Sequence, residues 1–234
     1  MPTPILQYNE DGTPSALKKT VLYTELNFYK RSDVLYQLTA VFCKRFLPQY
    51  GDRTVDQMVQ AARSTKQNIV EGSTDGQTSV EVELKLLGIA RGSNKELLED
   101  YTDYLKKHRL QEWRGKNTRF DGLHRFCKEH TAVEDYQMYF DKWTDEEMAN
   151  CAICLCHMID KALETYISRK DQEFVTEGGI RERMTAARLG YRNNQKEIIE
   201  NLNHENEELK KEIARQKNEI IRLTAIVRSL GGNA

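Results

Sequence analysis

Proline and glycine are scarce, 4 and 13 of 234 residues, too few to close the many turns that a protein built on sheets requires. A charge excess is missing as well. The 35 Lys and Arg stand against 36 Asp and Glu, a formal net charge of -1, so no whole-chain basic field exists to drive phosphate binding. No uncharged apolar run reaches the about 18 residues of a membrane span. Five cysteines, Cys43, Cys127, Cys151, Cys154 and Cys156, are an odd number in a core-rich chain. They argue against a disulfide framework and for a reducing compartment, and the expected location is the cytoplasm. The first 14 residues carry Pro2, Pro4, Asp11 and Gly12. They lack the basic start and apolar stretch of a signal peptide and are expected to be disordered.

What is plentiful is Leu, Glu, Lys, Arg, Gln and Ala, the composition of long helices. Within residues 15–170 four amphipathic stripes recur at three- and four-residue steps,. The first, over 17–46, contains Leu22, Leu26, Tyr29, Val34, Leu38, Val41 and Phe42 and ends before Pro48 and Gly51. Asp52 or Thr54 can cap the second, which runs through Val55, Met58, Val59, Ala62, Ile69 and Val70, with Gly72 as its expected stop,. The third starts at Ser79 and passes Val82, Leu87, Ala90, Leu97, Tyr101 and Leu105. It contains Gly88 and Gly92, each costing about 1 kcal/mol against Ala, for which close approach of another helix is the expected compensation. Residues 111–143 lose the period and read as an inserted connection holding one short helix,. Thr144 with Glu147 forms a capping box ahead of the fourth stripe, Met148, Ala152, Leu155, Ile159, Leu163 and Tyr166,. The fold class is therefore all-α: an antiparallel four-helix bundle. A connector over 171–192, marked by Gly178-Gly179 as a helix end and linker, leads to a coiled coil over 193–234,.

In that last segment one heptad register places Ile199, Asn206, Ile213, Ile220 and Val227 at a, and Leu202, Leu209, Gln216, Leu223 and Leu230 at d. β-branched a positions with Leu at d favour parallel two-stranded coils, and one Asn at a penalises other registers and strand numbers. Glu205 at g faces Lys210 at e of a parallel partner, and Glu212 faces Lys217 in the same way,. Self-association as a parallel dimer follows.

Gln57-Met58-Val59-Gln60-Ala61-Ala62-Arg63-Ser64, then Asn68-Ile69-Val70-Glu71-Gly72, resembles the second-helix signature of a four-helix bundle family. Its members include 23S ribosomal-RNA intervening-sequence proteins and the accessory variability determinants of diversity-generating retroelements. Leu86-Leu87-Gly88-Ile89-Ala90-Arg91-Gly92-Ser93 with Glu96-Leu97 is similar to the family's third helix. Residues 167–191, with Glu177-Gly178-Gly179 and Arg181-Glu182-Arg183, look like the suffix segment of some bacterial members. The resemblance covers residues 17–170. It implies a bundle without catalytic residues and, from the retroelement proteins, pentamers that bind a reverse transcriptase and RNA. This chain differs in its balanced charge, its insertion and its zipper.

Candidate chemistry is thin. Cys151, Cys154, Cys156 and His157, with His124, Cys127 and His130, are residue types that ligate zinc. Their Cys-x-x-Cys, however, lies inside an amphipathic helix where small thiols pack as core, and no metal is expected. Glu71 has no second acid, histidine or nucleophile at a supporting distance and reads as a partner of helix-end amides,. Arg45, Arg53, Arg63, Lys66, Arg91 and Lys95, with Tyr23 and Tyr29, are the candidate nucleic-acid contacts, although the interleaved acids favour an evenly solvated surface,. The sequence thus predicts a non-enzymatic homo-oligomeric adaptor without cofactor, metal, membrane or small-molecule substrate, its partner a protein or an RNA–protein assembly. The alternative is a DNA-binding regulator using Arg181, Arg183, Arg188, Arg192 and Lys196 ahead of the zipper,.

Overall fold

The computed structural model describes residues 7–8, 14–15, 22–48, 53–76, 79–115 and 117–231. Seven helices lie within them: α1 (Asn27–Phe46), α2 (Thr54–Asp75), α3 (Val80–Lys107), α4 (Thr118–Glu129), α5 (Val133–Phe140), α6 (Asp145–Glu177) and α7 (Ile180–Gly231). The chain is all-α apart from the two-residue strands β1 (Gln7–Tyr8) and β2 (Pro14–Ser15), which pair antiparallel. That pairing corrects the expectation of a wholly disordered N-terminus; the residues between the strands lie outside the described ones. Among the described residues no helix is long and apolar enough to cross a membrane.

The bundle closes as a ring in which α1 packs on α2, α2 on α3, α3 on α6 and α6 on α1. Specific contacts fix the directions. Ser64 and Gly72 of α2 meet Ser93 and Leu86 of α3, Phe28 and Arg45 of α1 meet Tyr166 and Met148 of α6, and Glu83 and Tyr104 of α3 bond Tyr166 and Asp145 of α6. Every neighbour is therefore antiparallel. Val34, Leu38, Phe42, Leu87, Leu97, Tyr101, Leu155 and Ile159 are buried. Removing such side chains from water is worth roughly 1.5–3 kcal/mol each for the aliphatic ones. Tyr101 keeps its hydroxyl satisfied by donating to Thr39 Oγ1 at 2.9 Å, and Thr39 donates to Leu35 O at 2.7 Å.

Local sequence explains where the helices start and where the expectations need correction. Ser79 accepts from Val82 N at α3, and the Thr144–Glu147 capping box opens α6. Of the first stripe, residues 17–21 lie outside the described residues; Leu26 is extended, and the 3-10 turn Tyr23–Glu25 before it is held back on α1 by an edge-on contact of Tyr23 with Tyr29 at 4.9 Å. Asp52 lies outside the described residues, and α2 is flanked by Arg53, which provides no side-chain cap bond.

Gly72 does not end α2, which continues to Asp75. It supplies instead the close helix approach expected at Gly88 and Gly92: a Cβ on Gly72 would stand 3.3 Å from Leu86 Cβ, whereas a Cβ on Gly88 or Gly92 would meet nothing within 4 Å. Both of those glycines fall off the core stripe of α3, which runs Val80, Glu83, Leu87, Ala90, Asn94 and Leu97.

The 111–143 insertion forms two helices where one was expected. Each has its own start signal: Asn117 accepts from Arg119 N at 2.9 Å, and Asp135 accepts from Ala132 N at 3.4 Å,. α4 packs on α6 and α5 on α1. Phe126, Tyr136, Tyr139 and Trp143 make a ring cluster under them. Buried Asn150 of α6 pins the connection ahead of α4 by accepting from Trp113 N and donating to Gln111 O.

The chain divides into two compact units, the bundle with its insertion up to Arg183, and a second unit comprising Met184 onward with β1 and β2. Within the segment expected to be a connector, α6 ends at Gly178, in the left-handed region at φ 75°, whose N–H donates to Phe174 O. α7 then begins at Ile180, well before the expected start of the coil.

Candidate functional site

α7 is a continuous helix of 52 residues. Its heptad a and d side chains stand in solvent: Ile199, Leu202, Leu209, Ile213, Ile220, Leu223 and Val227 are 51–68 % exposed. Leu230 is helical, but its side chain lies outside those described. Upstream, the same register falls on Arg192, Gln195, Arg188 and Thr185, so the apolar seam starts at Ile199. Asn206, with no opposing amide in a single chain, donates to Leu202 O at 3.0 Å. Glu207–Lys210, Glu208–Lys211, Glu212–Arg215 and Glu219–Arg222 pair along the helix. These are exposed pairs worth a few tenths of a kcal/mol, leaving Glu205 and Lys217 at the seam's edges for a partner.

The six candidate nucleic-acid cations are not brought together. Lys66 joins α2 to Asp33 of α1 at 2.7 Å, while Arg91 joins α3 to Asp160 and Glu164 of α6 at 2.5 and 3.1 Å, on the opposite side of the ring. That clamp holds the Asp160 carboxyl below the usual carboxylate range, chiefly through the Arg91 hydrogen bond. Arg45 is engaged with Phe140 O and stacks its guanidinium 4.5 Å over Phe46. Arg53, Arg63 and Lys95 form no ion pair among the described residues, but the groove between α2 and α3, about 680 Å³, is lined by Asp56, Glu96 and Asp100. Burial, and then the neighbouring Glu96, push the Asp100 carboxyl up. Tyr23 and Tyr29 do meet, beside Lys66, at the start of α1.

None of the five cysteines forms a disulfide, and all are buried. Cys127 of α4 lies 3.8 Å from Cys151 of α6. Burial pushes the Cys43 thiol up to about 12, and the hydrogen bond with Cys127 raises that of Cys154 further. These are packing groups, not nucleophiles. Among the described residues no three His, Cys, Asp or Glu side chains are arranged to hold a metal. His130 faces Asp135 at 3.5 Å, whereas His124 and His157 line a separate pocket between α4 and α6.

Glu71 is exposed in the last turns of α2, not at amide donors. The carboxylate that matters structurally is Glu83, 2 % exposed, which accepts from Tyr166 OH at 2.8 Å and faces Lys170 Nζ at 3.3 Å. Glu83 and Asn94, which donates to Cys156 O at 2.9 Å, were legible as polar residues standing on the apolar stripe of α3. The α4–α6 pocket had no such signal, because α4, which supplies one of its walls, lies in the segment read as an inserted connection.

α7 passes unbroken through Gly190, so Arg188, Arg192 and Lys196 are exposed on the same helix as the seam, whereas Arg183 is buried with its Nε unpartnered. No protein-family model matches the chain, and no curated protein or solved structure matches it either.

Proposed function

We propose that the chain is a non-enzymatic adaptor that self-associates through α7 as a parallel two-stranded coil and uses the bundle to hold a protein or RNA–protein partner in the cytoplasm. The exposed seam of α7 carries this reading: an amphipathic helix of this length leaves its apolar stripe in water unless another chain covers it. Buried, unreactive thiols and a buried Glu83 engaged with Tyr166 and Lys170 support a bundle built for shape, and five cysteines outside any disulfide suit a reducing compartment,. The resemblance to retroelement accessory proteins makes a reverse transcriptase with its RNA the partner to try first.

Sedimentation equilibrium of the full chain should give a concentration-dependent dimer, and Ile199→Cys should form an interchain disulfide on mild oxidation, because equal a positions face each other only in a parallel pair. A monomer, or a dimer in which the introduced thiols stay unlinked, refutes the parallel coil, and a single pentamer replaces it with the five-fold assembly of the retroelement proteins. A second reading, a DNA-binding regulator, draws on the continuity of α7 from Arg188 into the seam,. Gel shifts at several salt concentrations with duplex DNA and RNA separate the two, since the regulator alone prefers the duplex.

A further inference from the structure

Charge on the bundle is segregated. The α2–α3 groove is acidic, yet the face opposite, where α4 covers α1 and α6, holds a pocket of about 450 Å³ with no acid among its lining residues. That volume falls within the about 300–1,000 Å³ usual for small-molecule clefts. One face of α4 contributes Phe120, His124 and Lys128, at steps of four, and one face of α6 contributes Cys154, His157, Met158 and Lys161,. The floor is apolar: Phe120 is half-buried but outside the hydrophobic core, and its ring is free to receive a flat group beside His124, 5.7 Å away.

Positive groups make the rim. Lys128 forms no ion pair among the described residues, and Lys161, 79 % exposed, is held only by Glu164 at 3.2 Å, an acid already drawn toward α3 by Arg91. Arg31 donates to Cys127 O and Lys128 O at 3.4 and 3.3 Å, long bonds that place its guanidinium at the pocket wall. A bare anion would leave the apolar floor unused, and a hydrocarbon ligand would leave the cations unused. A flat ring joined to a phosphate matches both.

We propose that this pocket binds a nucleotide, its base on Phe120 and Met158 and its phosphate held by Lys128 and Lys161, as a free mononucleotide or as one residue of an RNA strand. The pocket lies wholly within one bundle, so the proposal stands or falls apart from self-association.

The test uses the full chain, titrated calorimetrically with AMP, UMP and inorganic phosphate, and by fluorescence anisotropy with a labelled single-stranded oligouridine. AMP or UMP should bind more tightly than phosphate. Phe120→Ala should weaken the nucleotides about tenfold while leaving phosphate unchanged. Lys128→Glu with Lys161→Glu should weaken all anions by about tenfold or more, and the milder Lys128→Gln should act in the same direction. Gln57→Glu, in the α2–α3 groove on the opposite face, should change nothing, and sedimentation and circular dichroism of each variant establish that it is folded. Oligouridine binding tighter than UMP and sensitive to the same changes assigns the site to RNA; UMP or AMP binding tighter than the strand assigns it to a free nucleotide. Phosphate binding as tightly as AMP, no binding of any nucleotide, or nucleotide binding indifferent to Phe120 and Lys128 overturns the proposal.

Discussion

The bundle and α7 are written in the same alphabet of apolar stripes and alternating charges, yet their apolar residues end in opposite places. Leu38, Leu87 and Leu155 are at 0 % exposure in the bundle, whereas Leu209 and Ile220 of α7 stand at 54 and 62 %. The difference lies in what each helix is offered by its own chain. The first three bundle helices are linked by short connections and find three apolar faces to complete the ring, while α7 has a heptad repeat suited to a copy of itself. Amphipathicity thus specifies that a face must be covered, and the exact period specifies by what.

The largest expected effect separates the two regions outright. Ile213→Asp sets two carboxylates face to face in the coil and should weaken dimerisation by about a thousandfold or more, read by sedimentation equilibrium, with the helical content of the bundle unchanged. Leu97→Ala attacks the other side of the comparison. It should destabilise the bundle by about 2–5 kcal/mol in denaturant melts, without altering the association constant. A loss of dimer in Leu97→Ala would show that the bundle itself takes part in assembly.

Asn206→Ile sharpens the comparison within α7. A buried amide is tolerable only opposite a second amide, so the change should raise coil stability by about 2 kcal/mol while broadening dimers into dimers and trimers by light scattering. Acid titration probes the bundle's clamp. Asp160 has a folded pKa below its unfolded value of about 3.9, so its contribution is complete above that range and is lost as pH falls through the lowered value,. The natural chain should therefore lose more stability than Asp160→Asn as pH falls from about 5 into that acid range. The smallest effect is a gain: Gly88→Ala, meeting nothing within 4 Å, should stabilise α3 by about 0.5–1 kcal/mol in thermal melts. Gly72→Ala, whose Cβ would press on Leu86 at 3.3 Å, should fall short of that gain.

The sequence by itself determined the all-α class, the four long stripes, the capping signals at Ser79 and Thr144 and the apolar stripe of α7, because each is a local pattern read within one or two helical turns. It misplaced the close-packed glycine, since whether a helix interior glycine faces a neighbour depends on its angle to a core stripe that only packing reveals. It also grouped Arg45, Lys66 and Arg91 into one surface. The ring order α1, α2, α3, α6 puts Lys66 and Arg91 on opposite sides and gives each its own acid. Only the tertiary structure decided that α4 lies over α6 and there brings Phe120 and Lys128 beside Met158 and Lys161. Residues thirty or more apart meet there through packing of a helix of the insertion on the helix of the fourth stripe. No local propensity encodes such a meeting, because it is fixed by which apolar faces remain uncovered once the ring has closed.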